Sequence, residues 1–107
     1  MQINVKGHHI EVTEAMHQHA TSRFDKLAHA FDNARELNIL LSVEKLMHKA
    51  EATILLTGTT LHAVAQSSDM YAAMDALADK LTAQVRKHLD KLSNHDAVSV
   101  RAARFSS

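Results

Sequence analysis

Between residues 37 and 65, apolar side chains recur at every second position, and this alternation constrains the fold more than any other feature. The alternating residues form three runs: Leu37, Ile39, Leu41 and Val43; Ala50, Ala52, Ile54 and Leu56; and Leu61, Ala63 and Ala65. Successive side chains of a strand point to opposite faces of a sheet, so each run predicts a strand with one buried face. Because only Lys45 to Lys49 and the turn Thr57-Gly58-Thr59 separate the runs, we expect the three strands to form a meander.

A helical pattern precedes the meander. Apolar residues recur at spacings of three and four, namely Met16, Ala20, Phe24, Leu27 and Phe31. This predicts a helix from about Glu14 to Phe31, with Thr13 as its N-cap and Asp32-Asn33 as a stop signal. Before that helix, Ile3 and Val5 alternate with polar residues, which predicts a short first strand that Gly7 ends.

A second helical pattern follows the meander, from about Met70 to Leu92, without a glycine or proline. Ser67 or Ser68 is the candidate N-cap. The predicted buried face consists of Met70, Met74, Leu77, Leu81, Val85 and Leu92.

These elements predict an α+β fold, a single β-α-β-β-β-α sandwich. Its four-stranded, antiparallel-rich sheet has both helices packed on one face. We expect one domain over residues 1–95, followed by a short, polar, flexible tail over residues 96–107. The other sheet face is predicted to be polar, with Leu40 and Leu55 as a small exposed apolar contact.

Composition restricts the classes of function. The chain contains no cysteine, which excludes disulfides, thiolate metal sites and a cysteine nucleophile. The first residues lack an apolar signal core, and no stretch is apolar enough for a membrane span, so we expect a cytoplasmic protein without a membrane partner. The formal net charge is zero, and we expect the free protein to be a monomer.

The charge is unevenly distributed, however. From Lys80 onward six basic residues face two acidic ones, so the last quarter of the chain has a local positive excess. Lys80, Gln84, Lys87 and Lys91 recur at helical spacing and lie within roughly 60° of one another around the helix. We call these four residues the lysine row. An ordered row of ammonium groups suits a phosphate backbone, although a solvated helix face is the alternative.

Four further cations are candidate nucleic-acid contacts. Arg86 lies on the adjacent face of the second helix, where Asp79 and Asp90 compete for it by ion pairing. Arg23 and Lys26 lie on the exposed side of the first helix, and side-by-side packing of the two helices would merge their basic residues into one groove. Lys45 lies in the bend between strands, with a purely structural role as the alternative.

Catalysis and metal binding have little support. The sequence lacks a nucleophile elbow, a phosphate loop, a zinc-protease motif and a dinucleotide fingerprint. Its nine histidines include His8-His9 and His17-x-His19, and neither pair has the one-face spacing of metal ligands on a helix. We therefore expect no enzymatic activity, no cofactor and no metal site.

Several segments resemble one known family. They are Gln2-Ile3-Asn4-Val5, Ile10-Glu11-Val12-Thr13-Glu14-Ala15-Met16, Val43-Glu44-Lys45, His62-Ala63 and, most specifically, Asp69-Met70-Tyr71-Ala72-Ala73-Met74-Asp75 with Asp79-Lys80-Leu81. In this order they are similar to the ribosome hibernation-promoting factor and protein Y family, over residues 1 to about 95. The chain lacks the second domain of the long factors and the acidic run that ends protein Y, so it resembles the short hibernation-promoting form.

The resemblance implies a function. Such a protein would bind the small (30S) ribosomal subunit and its 16S rRNA, in the channel used by messenger and transfer RNA, in stationary phase or stress. It would inhibit translation and stabilise inactive ribosomes, promoting ribosome dimers, with other hibernation factors as further partners. Ala83 and Leu89 occupy positions where relatives often have a basic residue, which implies weaker or more salt-sensitive RNA binding.

Two other functions remain open from the residues themselves. Three strands followed by a helix are also typical of double-stranded RNA-binding domains, which recognise the shape of A-form RNA. A protein–protein adaptor would instead use Leu40 and Leu55 on the open sheet face, and salt would hardly affect its binding.

Overall fold

The computed structural model describes the backbone of residues 1–31 and 33–101, and their side chains up to residue 89. The elements are β1 (Gln2–His8), α1 (Glu14–Ala30), β2 (Ala34–Glu44), β3 (Met47–Leu56), β4 (Thr59–Ser67) and α2 (Met70–Arg101). The predicted β-α-β-β-β-α order is confirmed.

The sheet has four strands in the order β1-β2-β3-β4. β1 runs parallel to β2, and the other neighbours are antiparallel. The inward residues of all three predicted runs are buried except for Val43 and Leu61. They pack with α1 and α2 in a single apolar core, whose largest fully buried side chains include Phe24, Ile54 and Leu77. Both helices thus cover one face of the sheet, as predicted.

The caps of the two helices differ in how well the sequence predicts them. Thr13 is the N-cap of α1, since its Oγ1 accepts a hydrogen bond from the backbone N–H of Met16 at 3.1 Å. The prediction of Ser67 or Ser68 for α2 was wrong. Asp69 Oδ2 accepts a hydrogen bond from the N–H of Ala72 at 3.0 Å, so Asp69 is the N-cap and the helix begins at the next residue. The negative charge of Asp69 also interacts favourably with the positive end of the helix dipole.

Two predicted strand boundaries were also wrong. The bend between β2 and β3 consists only of Lys45 and Leu46, rather than the five residues from Lys45 to Lys49. Gly7 does not end β1, which continues to His8. A Cβ at Gly7 would lie 2.4 Å from the carbonyl oxygen of Ile10, so the glycine permits the chain to fold back closely against the strand.

α2 is longer than predicted. It continues to Arg101 instead of ending near Leu92, so residues 96–101 of the predicted polar tail are helical. Residues 102–107, and the side chain of Leu92, lie outside the described residues. The five other predicted core residues of this helix are buried, whereas the domain boundary at residue 95 stays a prediction.

The open face of the sheet is polar, but its apolar residues do not form the predicted contact. Leu40 is paired with Lys6 and Glu51, whereas Leu55 is paired with Glu36 and Thr60, two rungs further along the sheet. A rung of polar residues lies between them, formed by Asn4, Asn38, Thr53 and His62.

Among the side chains that the structure describes, the most exposed large apolar one is instead Leu46, at 87% exposure in the β2–β3 bend, and the nearby Val43 and Met47 are also exposed. Within the described ranges, no helix combines the length and the apolar character that a membrane crossing requires.

Candidate nucleic-acid interface

The lysine row lies on the side of α2 that faces the free edge of β4. Lys80 and Lys87 are exposed, Gln84 is half-buried, and Lys91 lies in α2 with its side chain outside the described part. The Nζ of Lys80 donates a hydrogen bond to the carbonyl oxygen of Val64 in β4, at 2.9 Å. This contact places the lysine row beside the sheet edge and away from α1.

A second basic surface lies between the two helices. Arg23 and Lys26 of α1, with Thr82 and Arg86 of α2, line a depression of about 210 Å³ that Asp79 also borders. We call this the interhelical groove. α1 and α2 pack side by side because the apolar stripe of each must cover the same sheet face, and that packing brings cations 63 residues apart in sequence to one surface.

Arg23 is an ion-pair partner within the protein, which the sequence did not indicate. Its Nε lies 2.9 Å from Oδ1 of Asp75, and its Nη2 lies 3.4 Å from Oδ1 of Asp79. The Nε2 of His19 lies 2.8 Å from the same Asp75 oxygen. These contacts connect the middle of α1 to α2 and leave Arg23 half-buried.

Of the two acidic partners expected for Arg86, Asp79 pairs elsewhere, and the side chain of Asp90 lies outside the described residues. Asp79 pairs with Arg23 on the other helix, and among the side chains that the structure describes Arg86 has no salt bridge. Arg23 can take the place of Arg86 as the ion-pair partner of Asp79 because the two helices are in contact. The spacing of charges along one helix cannot predict a partner that lies on another helix.

The two basic surfaces are separate rather than merged. Lys80 and Arg86 point about 120° apart around α2, and Ala83 lies halfway between them and is exposed. Arg23, Lys26 and Arg86 do come together, as predicted, but the lysine row does not join them. Leu89, the other position where relatives often have a cation, packs against the core.

Lys45 is exposed in the β2–β3 bend, where its backbone φ is +59°. A left-handed conformation is unfavourable for lysine, since its Cβ crowds the following carbonyl. With Lys49 and Met47 it borders a depression of about 260 Å³. His48 pairs with Ser67, just before α2 begins, so Lys45 lies at the end of the domain where that helix starts.

A metal site has no support in the described part of the chain. No group of three histidine, cysteine, aspartate or glutamate side chains is arranged there to hold a metal ion. His8 and His9 stack edge to face at 4.1 Å, and His19 does the same with Tyr71 at 5.1 Å.

Fold and site together define a class: a small α+β domain whose helices expose two groups of cations. The chain belongs to the family described as sigma 54 modulation protein / S30EA ribosomal protein, whose model matches residues 3–93. This finding agrees with the resemblance noted in the sequence.

Named relatives give the same result. The chain is 44% identical over 95 residues to the ribosome hibernation promoting factor of Escherichia coli K12, which covers 89% of this chain and 100% of the relative. It is 41% identical over 91 residues to the factor of the same name from Pseudomonas putida KT2440, and the match covers 85% of this chain and 89% of the relative.

Solved structures share the fold. A ribosomal subunit interface protein from Coxiella burnetii superposes with a TM-score of 0.80 at 27% identity, covering 84% of this chain and 99% of that protein. The N-terminal domain of Thermus thermophilus protein Y superposes with a TM-score of 0.75 at 26% identity, covering 82% of this chain and 99% of that domain.

Proposed function

We propose that this protein is a ribosome hibernation factor. It binds the 16S rRNA of the small ribosomal subunit in the channel for messenger and transfer RNA. Binding inhibits translation and stabilises inactive ribosomes, promoting their pairing, in the cytoplasm of cells in stationary phase or stress. The relatives named above support this proposal at the level of the family.

The observation that supports an RNA partner most directly is the lysine row on a helix anchored in the core. Leu77, Leu81 and Val85 are fully buried in the same turns that present Lys80 and Lys87 to solvent. The helix therefore holds the backbone positions of these lysines at a fixed spacing, which reduces the entropy lost on binding a phosphate backbone. The interhelical groove adds Lys26 and Arg86 on the adjacent side.

The mechanism is occupancy and needs neither catalysis nor a cofactor. Each lysine that neutralises a phosphate releases condensed counterions, so affinity falls steeply as salt rises. Only four of the residues are aromatic, which leaves little for base stacking. We infer that the domain recognises the phosphate backbone and the shape of the rRNA.

Co-sedimentation with purified small subunits across a salt series tests this proposal. The wild type should bind saturably, and the variant with Lys80, Lys87 and Lys91 changed to alanine should bind more weakly, with a salt slope shallower by about one unit per lost contact. Lys6→Ala is the matched control because Lys6 is exposed on the strand farthest from α2. Equal binding by the triple variant and the control would contradict the proposed site.

Competition separates this function from general RNA binding. Excess duplex RNA should leave a site-specific factor on the subunit, but it would remove a protein that recognises any A-form helix. Displacement by duplex RNA would favour the double-stranded RNA-binding alternative. The adaptor alternative loses its proposed site, because Leu40 and Leu55 are not adjacent on the sheet.

A further inference from the structure

β4 is an edge strand with unusually little to prevent another strand from pairing with it. It spans nine residues, Thr59–Ser67, without a proline or any aspartate, glutamate, lysine or arginine. Its register with β3 is continuous, without a bulge. Proteins normally protect such edges with charges, prolines, bulges or a covering segment, because unpaired N–H and C=O groups attract additional strands.

The hydrogen bond of Lys80 identifies which backbone groups face outward. Since the carbonyl of Val64 accepts from Lys80, it points away from β3. In an antiparallel pair, successive residues alternate between inward-facing and outward-facing backbone groups. The N–H and C=O groups of Thr60, His62, Val64 and Gln66 therefore point out from the sheet edge.

The charges beside this edge indicate the chemistry of a partner. Lys80 contacts the edge directly, and Lys87 follows two turns later on the same side of α2. A second copy paired through β4 would bring two lysine rows together, and like charges would oppose that dimer. An incoming strand with carboxylates would instead meet ammonium groups along its length.

We propose that the β4 edge accepts an extended acidic segment of a partner protein as a fifth strand of the sheet. Lys80 selects for acidic strands because its Nζ already donates to the carbonyl of Val64 and competes with a partner's N–H for that oxygen. A carboxylate on the incoming strand stabilises the displaced ammonium by forming an ion pair with it, whereas a neutral strand cannot form that ion pair. This inference does not depend on ribosome binding.

Designed peptides test the selection. The probe is a nine-residue peptide that alternates valine and glutamate, matching the length of β4, and its counterpart has glutamine in place of glutamate. We expect wild-type protein to bind the glutamate peptide at least about tenfold more tightly in fluorescence anisotropy, which corresponds to one ion pair of partly desolvated groups. Lys80→Ala should reduce this preference at least about threefold, by weakening the binding of the glutamate peptide and strengthening that of the glutamine peptide, while Lys87 retains the rest.

Lys26→Ala is the matched control for charge, since Lys26 is an exposed cation of the interhelical groove, on the other side of α2 from β4. It should keep the preference for glutamate. Equal binding of the two peptides by wild-type protein, or an unchanged preference in Lys80→Ala, would overturn the proposal.

Val64→Pro separates strand pairing from charge attraction. The N–H of Val64 faces outward, so its removal spares the ladder with β3, and proline is tolerated at such edge positions. We expect this variant to keep its circular dichroism spectrum and its sedimentation with small subunits but to lose the glutamate peptide. Undiminished peptide binding would show that the lysines attract charge without strand addition, and the proposal would be wrong.

Discussion

The ion pairs of Arg23 give a sharp prediction because they join α1 to α2 at one point. We expect Arg23→Ala to lower the free energy of unfolding by about 1 kcal/mol and the melting temperature by about 5 °C. The pair with Asp75 contributes most of this, since the two side chains are 32% and 46% exposed and their charged atoms lie 2.9 Å apart. The pair with Asp79 contributes little, because Asp79 is 82% exposed and the distance is 3.4 Å.

Two features of the structure limit the loss of stability in Arg23→Ala. Asp75 keeps a partner in Arg23→Ala because His19 Nε2 remains 2.8 Å from its Oδ1, so the carboxylate is not left without a partner. Asp75 is also partly exposed to water, which screens the lost attraction. The lost hydrogen bond from Nη2 of Arg23 to the backbone carbonyl of Asp75, at 3.4 Å, adds a fraction of a kcal/mol.

Urea denaturation followed by circular dichroism measures this effect. Lys26→Ala is the control because Lys26 lies on the same helix, is exposed and has no salt bridge among the described side chains. A cycle with Asp75→Ala should give a coupling energy of about 0.5–1 kcal/mol that shrinks in high salt. If Arg23→Ala unfolds at the same urea concentration as Lys26→Ala, or if the coupling is zero, these pairs do not join the helices.

Three other predictions follow from single positions. Gly7→Ala should destabilise the domain by about 1–3 kcal/mol in the same assay, because the added methyl group meets the carbonyl of Ile10 at 2.4 Å; a loss below about 0.5 kcal/mol would contradict this geometry. Asp69→Ala should cost about 1 kcal/mol through loss of the α2 cap, whereas Ser68→Ala should be nearly neutral, and equal effects would argue against the cap. Ala83→Arg should strengthen sedimentation with small subunits and steepen the salt slope by about one unit, since the new cation lies between the two basic surfaces; an unchanged slope would mean that this side of α2 does not face RNA.

The order of the elements was predictable because it depends on local periodicity. Strand and helix patterns are repeated over many residues, so one ambiguous position such as Gly7 does not change the assignment. Boundaries depend on fewer residues and were less predictable. The two-residue bend at Lys45 requires a positive φ, but it contains no glycine from which that conformation could be predicted. Which of Ser67, Ser68 and Asp69 caps α2 depends on where the first turn of that helix packs.

The sequence by itself determined the α+β fold, the buried faces and the spacing of the lysine row, since each follows from contacts or angles within one element. Only the tertiary structure decided which charges meet. Arg23 lies beside Asp75 and Lys80 reaches Val64 because both helices must cover the same sheet face, which brings together residues 52 and 16 positions apart. The spacing of residues within one element does not predict contacts between elements, so the sequence indicated where the cations lie but not which groups they contact.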